Sequence, residues 1–272
     1  MYPALRKRYI LMVLEGHEEL AEKRRTDPSS TDFFTLAAER GDVATVRRVL
    51  EQGFRVDTPD TLGFTALNWA ILSSQREISR VLLAAGADTE QSVGERMESH
   101  PLRWCAEHND VEMASILLAA GAHAEGHPNS VMEVIEPIRE IMRERGMYAD
   151  GQVPYETSRS PLMTAIQRGY LRFAQLLLEQ GIDVEESQID AGGPLRSAVL
   201  HHYPDMVAPL LASGAAVSPA LLKLAERLKN ETLPVLAGPR SEVPRDHERT
   251  MSLIRRALKQ PKFGGDEPRS AS

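Results

Sequence analysis

The chain has 272 residues, of which 42% are hydrophobic, 26% charged and only 5% aromatic. That balance belongs to a folded protein rather than a disordered one, and its Ala- and Leu-rich apolar set favours helices over strands. The formal net charge of −7 disfavours nucleic acid and anionic membrane surfaces as partners, and the single cysteine, Cys105, has no intrachain disulfide mate.

At the N-terminus, Arg6, Lys7 and Arg8 precede an apolar run over 9–14. That run is shorter than the ~7–15 residues of a signal peptide's apolar region, and Glu15, Glu18 and Glu19 follow it. No apolar stretch approaches the ~18–20 residues of a membrane-spanning helix. The segment 5–24 is expected to form one helix, with 1–31 capping whatever follows, in a cytoplasmic or nuclear protein.

From residue 32 a period takes over. Gly53, Gly86, Gly121, Gly181 and Gly214 each close a segment such as Leu82-Leu83-Ala84-Ala85-Gly86. Successive glycines lie 33, 35, 60 and 33 residues apart (86−53, 121−86, 181−121, 214−181), so a 33-residue unit recurs and one interval carries an insertion of about 27 residues. Sixteen residues before each glycine stands a small residue: Ala37, Ala70, Cys105, Ala165 and Ala198. Three residues earlier comes a large apolar one: Phe34, Leu67, Leu102, Leu162 and Leu195. This pattern predicts a short helix presenting its large and small apolar residues on one face. A turn and a second helix follow, ended by a glycine in the left-handed conformation. Cys105 occupies the small-residue phase and is expected in the core. One such unit cannot bury its own apolar faces, so the units must stack.

These features resemble the ankyrin repeat family, whose consensus runs Thr-Pro-Leu-His-x-Ala and then Leu-Leu-x-x-Gly-Ala-Asp. The nearest match is Thr65-Ala66-Leu67-Asn68-Trp69-Ala70 followed by Leu82-Leu83-Ala84-Ala85-Gly86-Ala87-Asp88. Five units are similar, over 32–64, 65–99, 100–159, 160–192 and 193–218. The resemblance implies an all-α helical solenoid. The consensus His is Thr35, Asn68, Arg103, Met163 and Arg196 here, so the hydrogen bonding at that turn must be rearranged.

The insertion, 127–157, carries Val131, Val134, Ile135, Ile138 and Met142 at amphipathic-helix spacing. Its apolar stripe has two readings, packing on the repeats or docking a partner. Residues 219–238 keep the phase weakly through Leu222 and Ala225 and are read as a degenerate sixth repeat. Residues 239–272 hold a C-terminal helix, about 245–259, with Met251, Ile254 and Leu258 on one face, and then a Pro-, Gly- and Ser-rich tail expected to be disordered.

Four residues past the repeat glycines stand Asp57, Glu90, Glu125 and Glu185, with Ser218 in the fifth unit. The family has Asn there. These acids are either solvated turn residues or a ribbon along the loop tips that attracts a basic partner segment. Trp69 and Trp104, the only tryptophans, share one phase in adjacent units. They either pack internally or, if their edges are exposed, anchor a partner. No catalytic residue, metal site or cofactor motif is found. His201-His202 are adjacent and diverge by about 100° on a helix, and Cys105 has no histidine in its motif.

The resemblance therefore implies a non-enzymatic protein–protein interaction module: an adaptor, scaffold or inhibitor that binds through its loop tips and concave helix face. The alternatives are a self-associating structural or regulatory protein, or the regulatory subunit of an enzyme. The expected partner is another protein, one with a basic segment, not nucleic acid.

Overall fold

The computed structural model describes residues 27, 29–61, 63–91, 100–125, 160–184, 193–227 and 245–259, and every regular element among them is helical. The helices are α1 (Thr31–Arg40), α2 (Val43–Glu51), α3 (Ala66–Leu72), α4 (Arg76–Ala84), α5 (Pro101–His108), α6 (Val111–Ala119), α7 (Pro161–Arg168), α8 (Leu171–Glu179), α9 (Gly193–Leu200), α10 (Pro204–Ala212), α11 (Pro219–Arg227) and α12 (His247–Lys259). The expected N-terminal cap (all but its last residues), the inserted helix, residues 228–238 of the sixth repeat and the tail lie outside the described residues.

The chain divides into two compact units, Met1–Thr164 and Ala165–Ser272, and the boundary falls within α7. In the first unit, α1 packs on α3 and α3 on α5, while α2 packs on α4 and α4 on α6. First helices thus form one layer and second helices another. In the second unit α9 packs on α10 and α11, α8 packs on α10, and α12 packs against both α10 and α11.

Sequence sets where these helices begin. Ser30 accepts from the Phe33 amide at 3.1 Å and caps α1. Thr65 caps α3 in a reciprocal box: its hydroxyl accepts from Asn68 N, and the Asn68 side chain accepts from Thr65 N at 3.0 Å. Asn68 holds the position of the family histidine, and its amide also donates to the Gln91 carbonyl at 3.2 Å. At this turn the hydrogen bonding is rearranged and satisfied.

Where the helices end is fixed more strictly. The residue after each small core residue's turn sends its amide back to that residue's carbonyl: Asp42 to Ala37, Gln75 to Ala70, Asp110 to Cys105, Tyr170 to Ala165 and Tyr203 to Ala198, all within 2.8–3.0 Å. The intervening residue, Gly41, Ser74, Asn109, Gly169 or His202, is left-handed with φ of 53–79°. This is the Schellman closure. The second helices of the first unit close the same way on Gly53, Gly86 and Gly121. A Cβ at Gly86 would meet nothing within 4 Å, so its need for glycine is set by backbone conformation alone, not by space.

The core follows the phases. Phe34, Leu67, Leu102, Leu162 and Leu195 are buried, as are all five small residues. The Leu-Leu pairs split: Leu82, Leu117, Leu177 and Leu210 are buried, whereas Leu83, Leu118, Leu178 and Leu211 are half-buried. Between the first two repeats lies a polar centre. The buried Asp60 carboxylate accepts from Trp69 Nε1 at 2.7 Å, Thr35 Oγ1 at 3.0 Å and Phe64 N at 3.0 Å. It joins α1, the connecting loop and α3 through three donors. Beside it, Asp32 accepts from the amide and hydroxyl of Thr61 at 3.1 and 2.9 Å.

Two stability predictions follow from these contacts. Replacing Ser74 by Gly relieves a left-handed non-glycine residue and is expected to stabilise the chain by roughly 0.5–1 kcal/mol, while Gly86→Ala costs about 1–2 kcal/mol. Denaturant unfolding measures both, and a destabilised Ser74→Gly variant refutes the assignment. Asp60→Ala removes the buried acceptor of the Trp69 indole and Phe64 amide and leaves Thr35 Oγ1 the Asp32 carbonyl at 3.2 Å, and is expected to cost about 3 kcal/mol, against roughly 1–2 kcal/mol for Trp69→Phe. A loss below about 1 kcal/mol for Asp60→Ala shows that the centre does not hold the two repeats together.

Candidate functional site

The loops that follow α2, α4 and α6 place three of the four acids singled out by the sequence. Asp57 is half-buried, and its Oδ1 accepts from the backbone amide of Asp88 at 3.0 Å. Glu90 is 20% exposed, and its Oε1 accepts from the backbone amide of His123 at 3.0 Å and from Thr89 Oγ1 at 3.2 Å. The His123 ring lies 3.5 Å from the same oxygen. Asp88 and His123 each stand two residues past their repeat glycine (88−86 and 123−121). In both cases, then, an acid four past one glycine grips the amide two past the next. Glu125 is exposed at the corresponding position after α6, and Glu185 lies outside the described residues.

The row is thus a repeated chemical device. A carboxylate accepting a backbone N–H makes a charge-assisted hydrogen bond that also fixes the rotamer of the acid. Among the described residues, Asp57 Oδ2 and Glu90 Oε2 accept no hydrogen bond, so one oxygen is committed and the other is held in a defined direction. The spacing of 31 or 33 residues between acid and amide was the available signal. It was missed because a solvated acid and a bonded one look alike in a single repeat.

The tryptophans occupy a different layer. Trp69 is 0% exposed and Trp104 is 3% exposed. Trp69 packs on Phe64, with ring centroids 5.0 Å apart, and donates to Asp60. Trp104 stacks on His108 at 4.1 Å. Neither presents an edge to solvent, which is the condition a partner anchor requires, and packing is the role their burial supports.

Arg76 adds a second link between repeats. Its Nη2 reaches Asp110 Oδ1 at 3.0 Å and Glu112 Oε2 at 2.6 Å, joining α4 to the start of α6. Asp110 in turn caps α6 by accepting from Met113 N at 3.2 Å. Asp42 caps α2 in the same way, and its hydrogen bonds with Thr45 hold its carboxyl below the ordinary carboxylate value.

Two concavities lie among the described residues. One, of about 500 Å³, lies over Leu83 of α4 and Ile116 of α6; the other, of about 420 Å³, lies between α9 and α11. Neither is lined by an acid, a histidine or a cysteine among the described residues, so neither supplies a general base. Cys105 is fully buried. His201 is tied to the Ser197 carbonyl at 2.8 Å, and burial pushes its pKa below the usual histidine value. No described helix is long and apolar enough to cross a membrane.

Comparison with known proteins agrees with this architecture. Family models for ankyrin repeats match residues 8–93, as three copies, and residues 158–188. The first match begins inside the segment expected to be a cap. Among solved structures, an ankyrin repeat domain from Acinetobacter baumannii superposes with a TM-score of 0.56 at 17% identity, covering 83% of this chain and 97% of that one. Among curated proteins, the chain is 34% identical over 89 residues to Palmitoyltransferase Hip14 of Drosophila melanogaster, covering 31% of this chain and 14% of that protein. It is 27% identical over 201 residues to the Putative palmitoyltransferase ZDHHC13 of Danio rerio, covering 70% of this chain and 30% of that protein. It thus spans less than a third of the length of either relative. The helix pairs closed on left-handed turns, the buried small-residue column and these matches together show that the chain carries ankyrin repeats.

Proposed function

We propose that this chain acts without catalysis, as an adaptor or scaffold that captures a basic segment of another protein along its loop tips. Ankyrin repeats are protein–protein interaction modules, and their fold is generally non-catalytic. The observation that carries the finer reading is the pair of loop carboxylates, Asp57 and Glu90, each held by one oxygen on the next repeat's backbone with the other oxygen uncommitted. Such acids are oriented before binding, which lowers the entropy lost when a lysine or arginine pairs with them. Exposed Glu125 stands at the same repeat position after α6, and Glu185 holds that position in the sequence of the fourth repeat. Trp69 and Trp104 serve the surface from beneath, as packing. The setting is cytoplasmic or nuclear.

A second reading is favoured by the relatives, which are named as palmitoyltransferases. In it the chain is a regulatory or recruiting module that works with an acyl-transfer enzyme.

The test uses the quadruple variant Asp57→Asn, Glu90→Gln, Glu125→Gln and Glu185→Gln, which keeps side-chain shape and hydrogen-bond acceptors while removing charge. Partners are captured on the full chain at low and at roughly physiological ionic strength, where the Debye length is about 8 Å, and identified by mass spectrometry. The expected result is a basic protein whose capture weakens with salt, drops in the variant and loses its salt dependence there, with the unfolding midpoint little changed. Capture that is equal in wild type and variant at both salts refutes the acidic row. An acyl-transfer enzyme as the principal captured protein favours the second reading.

A further inference from the structure

The second unit contains a histidine pair that the interaction surface does not use. His202 sits in the turn between α9 and α10, and His247 is the first residue of α12. They are 45 residues apart in sequence (247−202), yet their Nδ1 atoms lie 3.3 Å apart, with ring planes at 78°. We infer that His202 and His247 form a two-histidine site for a late first-row divalent cation of the zinc or nickel class, and that the ion fastens α12 to the α9–α10 turn.

The argument begins with distance. Two nitrogens bound to one tetrahedral ion at about 2.0–2.1 Å are separated by about 3.3 Å. The observed separation matches that chord, so the two nitrogens need no change of distance to share one ion. Imidazole is a ligand that suits zinc, nickel and copper, and it binds as the neutral ring. The two Nδ1 atoms are within hydrogen-bond distance of each other, and which ring donates depends on the tautomer. Ligation through both Nδ1 atoms needs the tautomer that carries its proton on Nε2 in each ring, so a proton on Nδ1 moves to Nε2 and a lone pair is left on each facing nitrogen. Both histidines are half-buried, so water can reach the remaining coordination positions. No group of three or more potential ligand residues stands together among the described residues, which makes this an open, two-ligand site completed by water.

The backbone on both sides is fixed. His202 has φ of 57°, and its carbonyl accepts from Asp246 N at 2.9 Å. Asp246 then caps α12: its Oδ1 accepts from Arg249 N at 2.9 Å, and its carbonyl accepts from Thr250 Oγ1 at 2.8 Å. Asp205 pairs with Arg249 at 2.7 Å, and Thr250, Met251 and Ile254 are buried. His201 contributes nothing through its Nδ1, which is held by Ser197.

The full chain is titrated with Zn²⁺, and separately with Ni²⁺, by calorimetry, and amide exchange is followed over 246–254 with and without metal. His202→Asn and His247→Asn are compared with the wild type, since Asn tolerates the left-handed turn better than most residues. His247→Gln is the second variant should His247→Asn disturb the start of α12, and His123→Asn is the control on an exposed histidine. One-to-one binding is expected, with slower exchange in α12 on metal addition. Affinity should fall about tenfold or more in each of the two ligand variants, and it should be unchanged in His123→Asn. Binding that survives in His202→Asn or His247→Gln, or no saturable binding up to about 1 mM of either ion, a concentration at which association is worth only about 4 kcal/mol, overturns the assignment.

Discussion

Everything in this fold depends on ending each helix on time. The first helices are 7–10 residues long and the second helices of the pairs are nine, lengths at which an isolated helix in water is marginal. They persist because the carbonyl of one small core residue is taken by an amide five positions on, across a single left-handed residue. That closure reverses the chain at a fixed point, so the large apolar residue and the small one always face the same neighbour. Moving the turn by one position would rotate the second helix by about 100° and point Leu82 or Leu117 away from the core.

Apolar burial holds the units together but does not choose their register, because one Leu or Ala face resembles the next. Register comes from directional bonds between repeats. Asp60 gathers donors from α1, its own loop and α3; Asp32 grips Thr61; Asp57 and Glu90 grip the amide of the following loop; Arg76 reaches forward to Asp110 and Glu112. Each of these bonds uses a carboxylate. An acid can accept several donors at once, which suits a loop whose backbone amides have no helix partner. The acidic composition of the chain is therefore partly a structural requirement in the first unit.

The sequence made the repeat legible because its landmarks are types that no other environment explains: a small residue and a glycine held 16 residues apart through five units. Helix pairs, the core columns and the buried Cys105 follow from that. The split of the Leu-Leu pairs did not, since both members are equally apolar and only the helix phase separates them. Nor could an alignment of repeats distinguish Asp57 bonded to Asp88 from an acid in solvent, because the amide it grips carries no residue-type signature. The tryptophans were ambiguous for the opposite reason. Indole serves a core and an interface equally well, and only the buried Asp60 waiting for its N–H decides for Trp69. Likewise His202 reads as a possible ligand beside His201, but its true neighbour, His247, comes from a helix 45 residues on.

Under the proposed function a loop carboxylate is structural and also meets a partner. A glutamate that moves freely in water must be immobilised to pair with a lysine, and that entropy can cancel most of an exposed ion pair, which is worth only about 0–1 kcal/mol. When one oxygen is already fixed on a backbone amide, the rotamer cost has been met during folding. Under the proposed function, partner pairing keeps more of its electrostatic gain, and Asp57 and Glu90 each supply one such oxygen. The same bond makes binding and stability separable by chemistry. Removing charge with Asn or Gln leaves an acceptor for the amide, whereas truncation to Ala removes both functions and confuses them. Under that proposal an extended basic segment suits the arrangement better than a compact basic face, because Asp57 and Glu90 lie on successive loops of the first unit and a chain that follows the loops reaches them in turn.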